Sequence, residues 1–274
     1  MNIVVIIQAR MASSRLPGKV LREIAGKPML AHVVERARKA KQISSVWVAT
    51  TIDPSDDPVE ALCRQLETPC YRGSMHDVLD RYYQAAKTAG AEVIVRLTAD
   101  CPLIDPGLVD ATLEAFLDGA DFAANRLPPP WTRSFPIGLD TEICSFTALE
   151  RAWKEAEQPY HREHVLPYLY EGVSFEAQPR QPEIGENYVL RGQSLHGFHI
   201  AQLHHHPDYG PLRWTVDTPA DLELVQQIFS RMAGKQDFSW LEVIELFENE
   251  PQLAQINVDV QHKTAYDVDP RMNK

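Results

Sequence analysis

The chain has 274 residues, four cysteines, 27 basic and 38 acidic side chains, and a net charge of −11. That balance disfavours nucleic acid or an anionic membrane as the main partner, and no apolar run approaches the ~20 residues a membrane span needs. Cysteines 63, 70, 101 and 144 are scattered without a Cys-x-x-Cys pair, which points to reduced thiols. The N-terminus enters a strand at once, with neither a basic region nor a cleavage site, so a cytoplasmic protein is expected.

Residues 2–7 are wholly apolar after Asn2 and read as a buried strand. The loop that follows, Gln8 to Lys19, carries Arg10, Ser13, Ser14, Arg15, Gly18 and Lys19 and no carboxylate. Gly18 lets backbone N–H groups approach a ligand closely, and successive N–H groups can cradle phosphate oxygens. The arginine forks add paired, charge-assisted bonds. An acidic protein that binds a nucleotide must concentrate positive charge locally, and this loop does so. It is not a Walker A loop, because position 13 is Ser and Lys19 is followed by Val20, and no Gly-x-Gly-x-x-Gly occurs. A merely solvated basic loop is the competing reading; its place at the carboxyl end of an apolar strand, where open α/β sheets put ligands, argues against it.

The pattern then alternates. Residues 28–41 form an amphipathic helix with a basic end, 46–50 a strand, and 56–67 a helix with Ser55 as its expected cap. A short strand at 70–71 leads through Arg72 to a helix over 77–88 that opens with Asp77, and 92–97 is the next strand. Apolar strands alternating with helices predict a mostly parallel sheet covered on both faces, with its strand ends on one rim. That rim receives Thr98 and Asp100. Asp105, followed by Pro106, is the better cap for a helix over 106–117, which leaves Asp100 free for chemistry; a plain turn-forming role is the alternative.

From 126 to 212 the pattern changes and is read as a smaller inserted lobe, with a strand over 138–145, a helix over 146–157, a helical stretch from 160 to 165, a Pro-rich run at 178–185, and short strand-like runs to 201. His204, His205 and His206 read as a solvated loop, since adjacent residues point in different directions. Residues 213–216 return as a strand ending in Asp217. Thr218 and Asp221 cap a helix over 220–232, and 239–249 is a further helix. Asp217 thus stands in the same strand-end situation as Asp100, and two such carboxylates opposite a phosphate loop suit a Mg²⁺–nucleotide site.

The run Arg10-x-x-Ser13-Ser14-Arg15-Leu16-Pro17-Gly18-Lys19 resembles the opening signature of the cytidylyltransferases that activate 3-deoxy-manno-octulosonate and acylneuraminate, and is most similar to their spore coat polysaccharide biosynthesis branch. Residues 97–104 and 213–224 match as well, so the likeness spans roughly 1–225. The resemblance implies one domain over 1–274 with a three-layer, mostly parallel, Rossmann-like sheet of the nucleotide-diphospho-sugar transferase type. It implies transfer of CMP from CTP to a keto sugar acid with release of pyrophosphate, for surface polysaccharide synthesis. Asp100 and Asp217 become Mg²⁺ ligands. Arg15 and Lys19 join them as catalytic residues, neutralising the leaving pyrophosphate. Arg10 faces base and ribose, with Arg72, Asp77 and Thr98 as further nucleotide contacts. Arg133 and Arg162 in the inserted lobe are candidates for the acceptor's carboxylate, and the lobe is expected to support a homodimer. Two other readings compete: a nucleotidyltransferase using another NTP and a sugar 1-phosphate or other small phosphorylated acceptor, and a non-enzymatic sugar-nucleotide binding module.

Overall fold

A computed structural model describes residues 1–177, 180–235 and 237–261. In chain order the elements are β1 (Ile3–Gln8), a ribbon of β2 (Glu23–Ile24) and β3 (Lys27–Pro28), α1 (Met29–Ala37), β4 (Ser45–Thr51), α2 (Asp57–Gln65), β5 (Cys70–Gly73), α3 (Val78–Thr88), β6 (Val93–Thr98), α4 (Pro106–Leu117) and β7 (Phe122–Ala124). They continue with β8 (Glu142–Ser145), α5 (Phe146–Glu155), α6 (Pro159–His164), α7 (Pro167–Tyr170), β9 (Ser174–Phe175), β10 (Asn187–Gln193), β11 (His199–His205), α8 (Pro219–Arg231) and α9 (Trp240–Asn249).

Nine strands make one sheet in the order β5-β4-β1-β6-β8-β7-β11-β10-β9. Strands β5, β4, β1 and β6 run parallel. β8 lies antiparallel between β6 and β7, and β10 antiparallel between β11 and β9, so the other seven strands share one direction. The expected mostly parallel α/β sheet is present.

Strand periodicity builds the layers. Ile3, Val5 and Ile7 enter a core shared with α1, α2 and α4, while Val4 and Ile6 enter the opposite one, shared with α3, α5 and α7. Val4 to Ile7 are completely buried, and each such side chain stabilises the fold by roughly 1.5–3 kcal/mol relative to exposure. A third cluster packs α8 and α9 against Phe135, Leu139, Trp214 and Val216. Asp105 caps α4 through the Leu108 amide at 2.9 Å, and its second oxygen takes the Trp240 amide at 2.8 Å. Thr218 and Asp221 form the capping box of α8.

Several expectations give way. The 126–212 stretch, expected as an inserted lobe, contributes four strands to the same sheet. Its 138–145 strand begins only at Glu142, and its strand-like runs resolve into the long β10–β11 hairpin; the first two residues of the Pro-rich run 178–185 lie outside the described residues. Ser55 does not cap a helix: the Asp53 carboxylate accepts the Ser55 amide at 2.8 Å at the head of a 3-10 turn, Pro54–Asp56. Asp56, in turn, spends its carboxylate on Thr51 and the Met11 amide. His204 and His205 are buried on β11 rather than solvated: His204 stacks on the cross-strand Tyr188, and His205 packs against Phe135, Tyr209 and Trp240. Residues 213–216 are not a strand; Arg213 makes a single bridge with Ile137. The helix over 28–41 ends at Ala37, and Arg36 of its basic end turns inward to the carbonyls of Ile104 and Phe238, at 2.6 and 2.9 Å.

Candidate active site

β1 ends at Gln8, and the chain stays tied to its neighbours for one more residue on each strand: the Ala9 amide donates to Ala49 O at 3.1 Å and the Ala99 amide to Gln8 O at 3.0 Å. The cationic loop then folds back. The Met11 amide donates to Asp56 Oδ1 at 2.7 Å, and the Gly18 amide to Met11 O at 3.1 Å. Gly18 has φ +67°, a left-handed turn that glycine takes without strain, and it launches the 3-10 turn Lys19–Leu21. That turn aims Lys19 inward.

Lys19 Nζ donates to Asp100 Oδ2 at 2.7 Å, to Asp217 Oδ1 at 2.8 Å and to Val216 O at 2.9 Å. Two carboxylates separated by more than a hundred residues therefore close on one ammonium. Around Asp217 the cations continue: Arg15 reaches its Oδ2 at 3.0 Å and Arg213 at 2.8 Å, while Arg213 Nε also holds the fully buried Asp221 at 3.0 Å. Burial by itself would raise the Asp217 pKa, but Lys19, then Arg15 and Arg213, outweigh it and hold the carboxyl well below the usual carboxylate range. Burial likewise works against the Lys19 ammonium, and Asp100 and Asp217 overcome it, so its pKa is raised.

Backbone fixes this meeting. The Val216 amide donates to Asp100 O at 2.8 Å, and Thr215 Oγ1 to the same carbonyl at 3.2 Å. The amides of Trp214 and Thr215 both reach Ile137 O, at 2.6 and 3.1 Å. Residue 138 must be glycine: at φ +107° a Cβ would stand 2.4 Å from Thr215 N.

The remaining sequence candidates are placed as follows. Ser13 Oγ accepts the Leu16 amide at 3.4 Å, Ser14 is exposed, and Thr98 Oγ1 contacts Cys101 Sγ at 3.2 Å. Arg72 reaches the carbonyls of Thr51 and Asp53 at 2.8 and 2.9 Å, and pairs with Asp57 and Glu60. Asp77 caps α3 through the Asp80 amide at 2.8 Å and pairs with Arg162, whose Nη1 also donates to Trp153 O at 2.8 Å. Arg133 pairs with Asp140 at 2.7 Å. Arg15, Lys19, Asp100 and Asp217 are thus brought together, whereas Arg72, Asp77, Arg133 and Arg162 sit in separate ion pairs. Reading the sequence missed Arg213, whose only signal was its spacing of four and eight residues from Asp217 and Asp221.

A mostly parallel α/β sheet whose carboxyl rim gathers a cationic loop and two rim carboxylates is the architecture of a nucleotidyltransferase. The family profile described as cytidylyltransferase matches residues 4–264, and the chain belongs to that family. It is 33% identical over 272 residues to an uncharacterized protein of Methanocaldococcus jannaschii, covering 98% of this chain and 100% of that one. It is 31% identical over 267 residues to the spore coat polysaccharide biosynthesis protein SpsF of Bacillus subtilis, covering 92% and 97%. A solved cytidylyltransferase from Leptospira borgpetersenii superposes with a TM-score of 0.80 at 31% identity, over 96% of this chain and all of that one. Further relatives carry the name 3-deoxy-manno-octulosonate cytidylyltransferase.

Proposed function

We propose that the protein transfers CMP from CTP to a keto sugar acid of the octulosonate or nonulosonate type and releases pyrophosphate, a step that activates a sugar for surface polysaccharide synthesis. The observation that carries this reading is the closure of Asp100 and Asp217 on Lys19 beside Arg15. The family membership and the relatives named for 3-deoxy-manno-octulosonate support the choice of nucleotide and acceptor.

The chemistry follows from charge. A sugar hydroxyl attacks the α-phosphorus in line while pyrophosphate departs, and negative charge grows on the leaving group. Lys19 and Arg15 are the cations assigned to neutralise it, exchanging bonds to Asp100 and Asp217 for the leaving oxygens. Arg10 is assigned to the ribose and base. The two aspartates fit Mg²⁺: they are hard oxygen donors already gathered around a single cation. Among the described residues no group of three or more His, Cys, Asp or Glu side chains is arranged to hold a metal, so the two aspartates would hold the ion together with oxygens of the nucleotide and of water. Bound there, Mg²⁺ would supply Lewis acidity at the α-phosphate. The same reading places the protein in the cytoplasm as a homodimer; its four cysteines are free, and no described helix is long and apolar enough to cross a membrane.

Pyrophosphate release measured with each of the four NTPs against keto sugar acids and sugar 1-phosphates tests the proposal. CTP with a keto sugar acid is the expected productive pair. Turnover confined to another NTP or to sugar phosphates rejects it.

A further inference from the structure

Beyond the aspartates, the rim carries a second charged group that no part of the nucleotide chemistry uses. Arg126 Nε and Arg133 Nη2 lean on the two oxygens of one carboxylate, Asp140, at 3.3 and 2.7 Å. Two guanidinium groups share that carboxylate. Arg133 Nη1 is buried without a hydrogen bond, and so is Nε2 of His164 at the end of α6. A buried donor left unpaired costs about 1–3 kcal/mol, a cost that an incoming oxygen removes. The three side chains of the bridge keep 17–25% of their surface open, so solvent reaches the group.

Its position matters. Asp140 follows two residues after Gly138, which abuts the backbone of Trp214 and Thr215, and Thr215 Oγ1 donates to Asp100 O at 3.2 Å. The chain thus runs from the carboxylate pair to the bridge within a few residues. His164 feels the charges of Arg96, Arg126 and Arg10; burial first, then those cations, push its pKa down to about 4 and keep the ring neutral. The residue after it, Val165, is fully buried at φ +74°, a conformation costly for a β-branched side chain and of the kind folds retain at functional positions. Closing the 126–140 loop does not require the bridge. Asn125 already ties its base, donating to Leu139 O at 2.7 Å and accepting from the Thr141 amide at 2.8 Å.

We infer that Arg126 and Arg133, held apart by Asp140, seat the oxyanion of the acceptor, and that His164 receives one of its hydroxyls. The inference rests on the transferase reading above and assigns the specificity of its acceptor half. The arginine forks suit a carboxylate held by two parallel bonds, and a neutral imidazole both donates to and accepts from a hydroxyl.

Steady-state pyrophosphate release by Arg126→Gln and His164→Gln tests it, with CTP against 3-deoxy-manno-octulosonate, N-acetylneuraminate and a hexose 1-phosphate. KM for the acceptor is expected to rise at least tenfold in each variant, with KM for CTP within twofold and Tm nearly unchanged. Unchanged acceptor KM, or an equal rise in both KM values, overturns the assignment. Calorimetric titration of the same three compounds into CTP-loaded wild type and variants reads the seat without turnover: weaker binding by the variants supports it and equal binding overturns it. The acid and phosphate arms show which oxyanion is taken. A wild type that binds no CTP defeats the transferase reading and this inference together, whereas a wild type that binds CTP and an acceptor equally well with Arg126 replaced defeats only the inference.

Discussion

The Val216 amide donates to the Asp100 carbonyl at 2.8 Å, and this backbone bond sets Asp217 beside Asp100. The pair is thereby set before any ligand arrives. Lys19 completes it as a shared counter-charge.

Gly138 guards that bond. Gly138→Ala puts a methyl group 2.4 Å from Thr215 N at φ +107°, so the 214–217 segment must shift. A loss of at least about 2 kcal/mol is expected in urea denaturation, together with a fall in kcat beyond that of a control substitution of equal stability cost elsewhere. Full activity in a stable Gly138→Ala protein would contradict the role given to this contact.

Removing the shared ammonium has two measurable effects. Lys19→Met is expected to lower kcat by roughly 10²-fold or more, because a cation prepared for the leaving group is gone. It also leaves Asp100 and Asp217 facing each other without their common partner. Added Mg²⁺ should then raise Tm more in the variant than in wild type, which differential scanning fluorimetry reads directly; equal shifts would argue against the two carboxylates as the ion's seat.

Arg213 is the structural half of the cluster. Its side chain is 6% exposed and pairs with Asp221, which is 0% exposed. Arg213→Met leaves a buried carboxylate uncompensated, and about 3–5 kcal/mol of stability should be lost by chemical denaturation. The double variant Arg213→Met, Asp221→Asn is expected to recover part of it.

Acid pH should weaken the fold through His204. Burial on β11 pushes its pKa down to about 4, with Asp208 opposing only in part. The unfolded chain therefore takes up the proton first, so stability falls as pH drops from about 6.5 to about 4 and is unaffected above that window. The contribution is on the order of 3 kcal/mol at most. His204→Gln should flatten this portion of the urea-midpoint profile, and an unchanged slope would assign the loss to other groups.

Much of this could be read in advance because local rules and tertiary structure agree. The apolar run of β1, the Asp105 and Thr218 caps and the alternation of strands and helices each follow from short-range chemistry, and the cationic loop announces itself by charge. The failures are of another kind. His204 and His205 looked solvated because a strand pairing between β10 and β11 is invisible in a polar stretch. Asp77 and Arg162, 85 residues apart, satisfy each other; nothing in either neighbourhood signals that partner. The 213–216 stretch has the composition of a strand but is pinned by Ile137 and Asp100 instead, and Gly138, which makes that possible, gave no sign beyond being a glycine.

β8 has a mechanical consequence. Wedged antiparallel between β6 and β7, it laces the strands that carry the cationic loop to those that carry the inserted residues. No seam remains across which two halves could swing like jaws. Engulfing a substrate must be the work of short segments moving on a stiff floor, which makes transplanting the 126–140 loop between relatives a sensible route to exchanging one sugar for another.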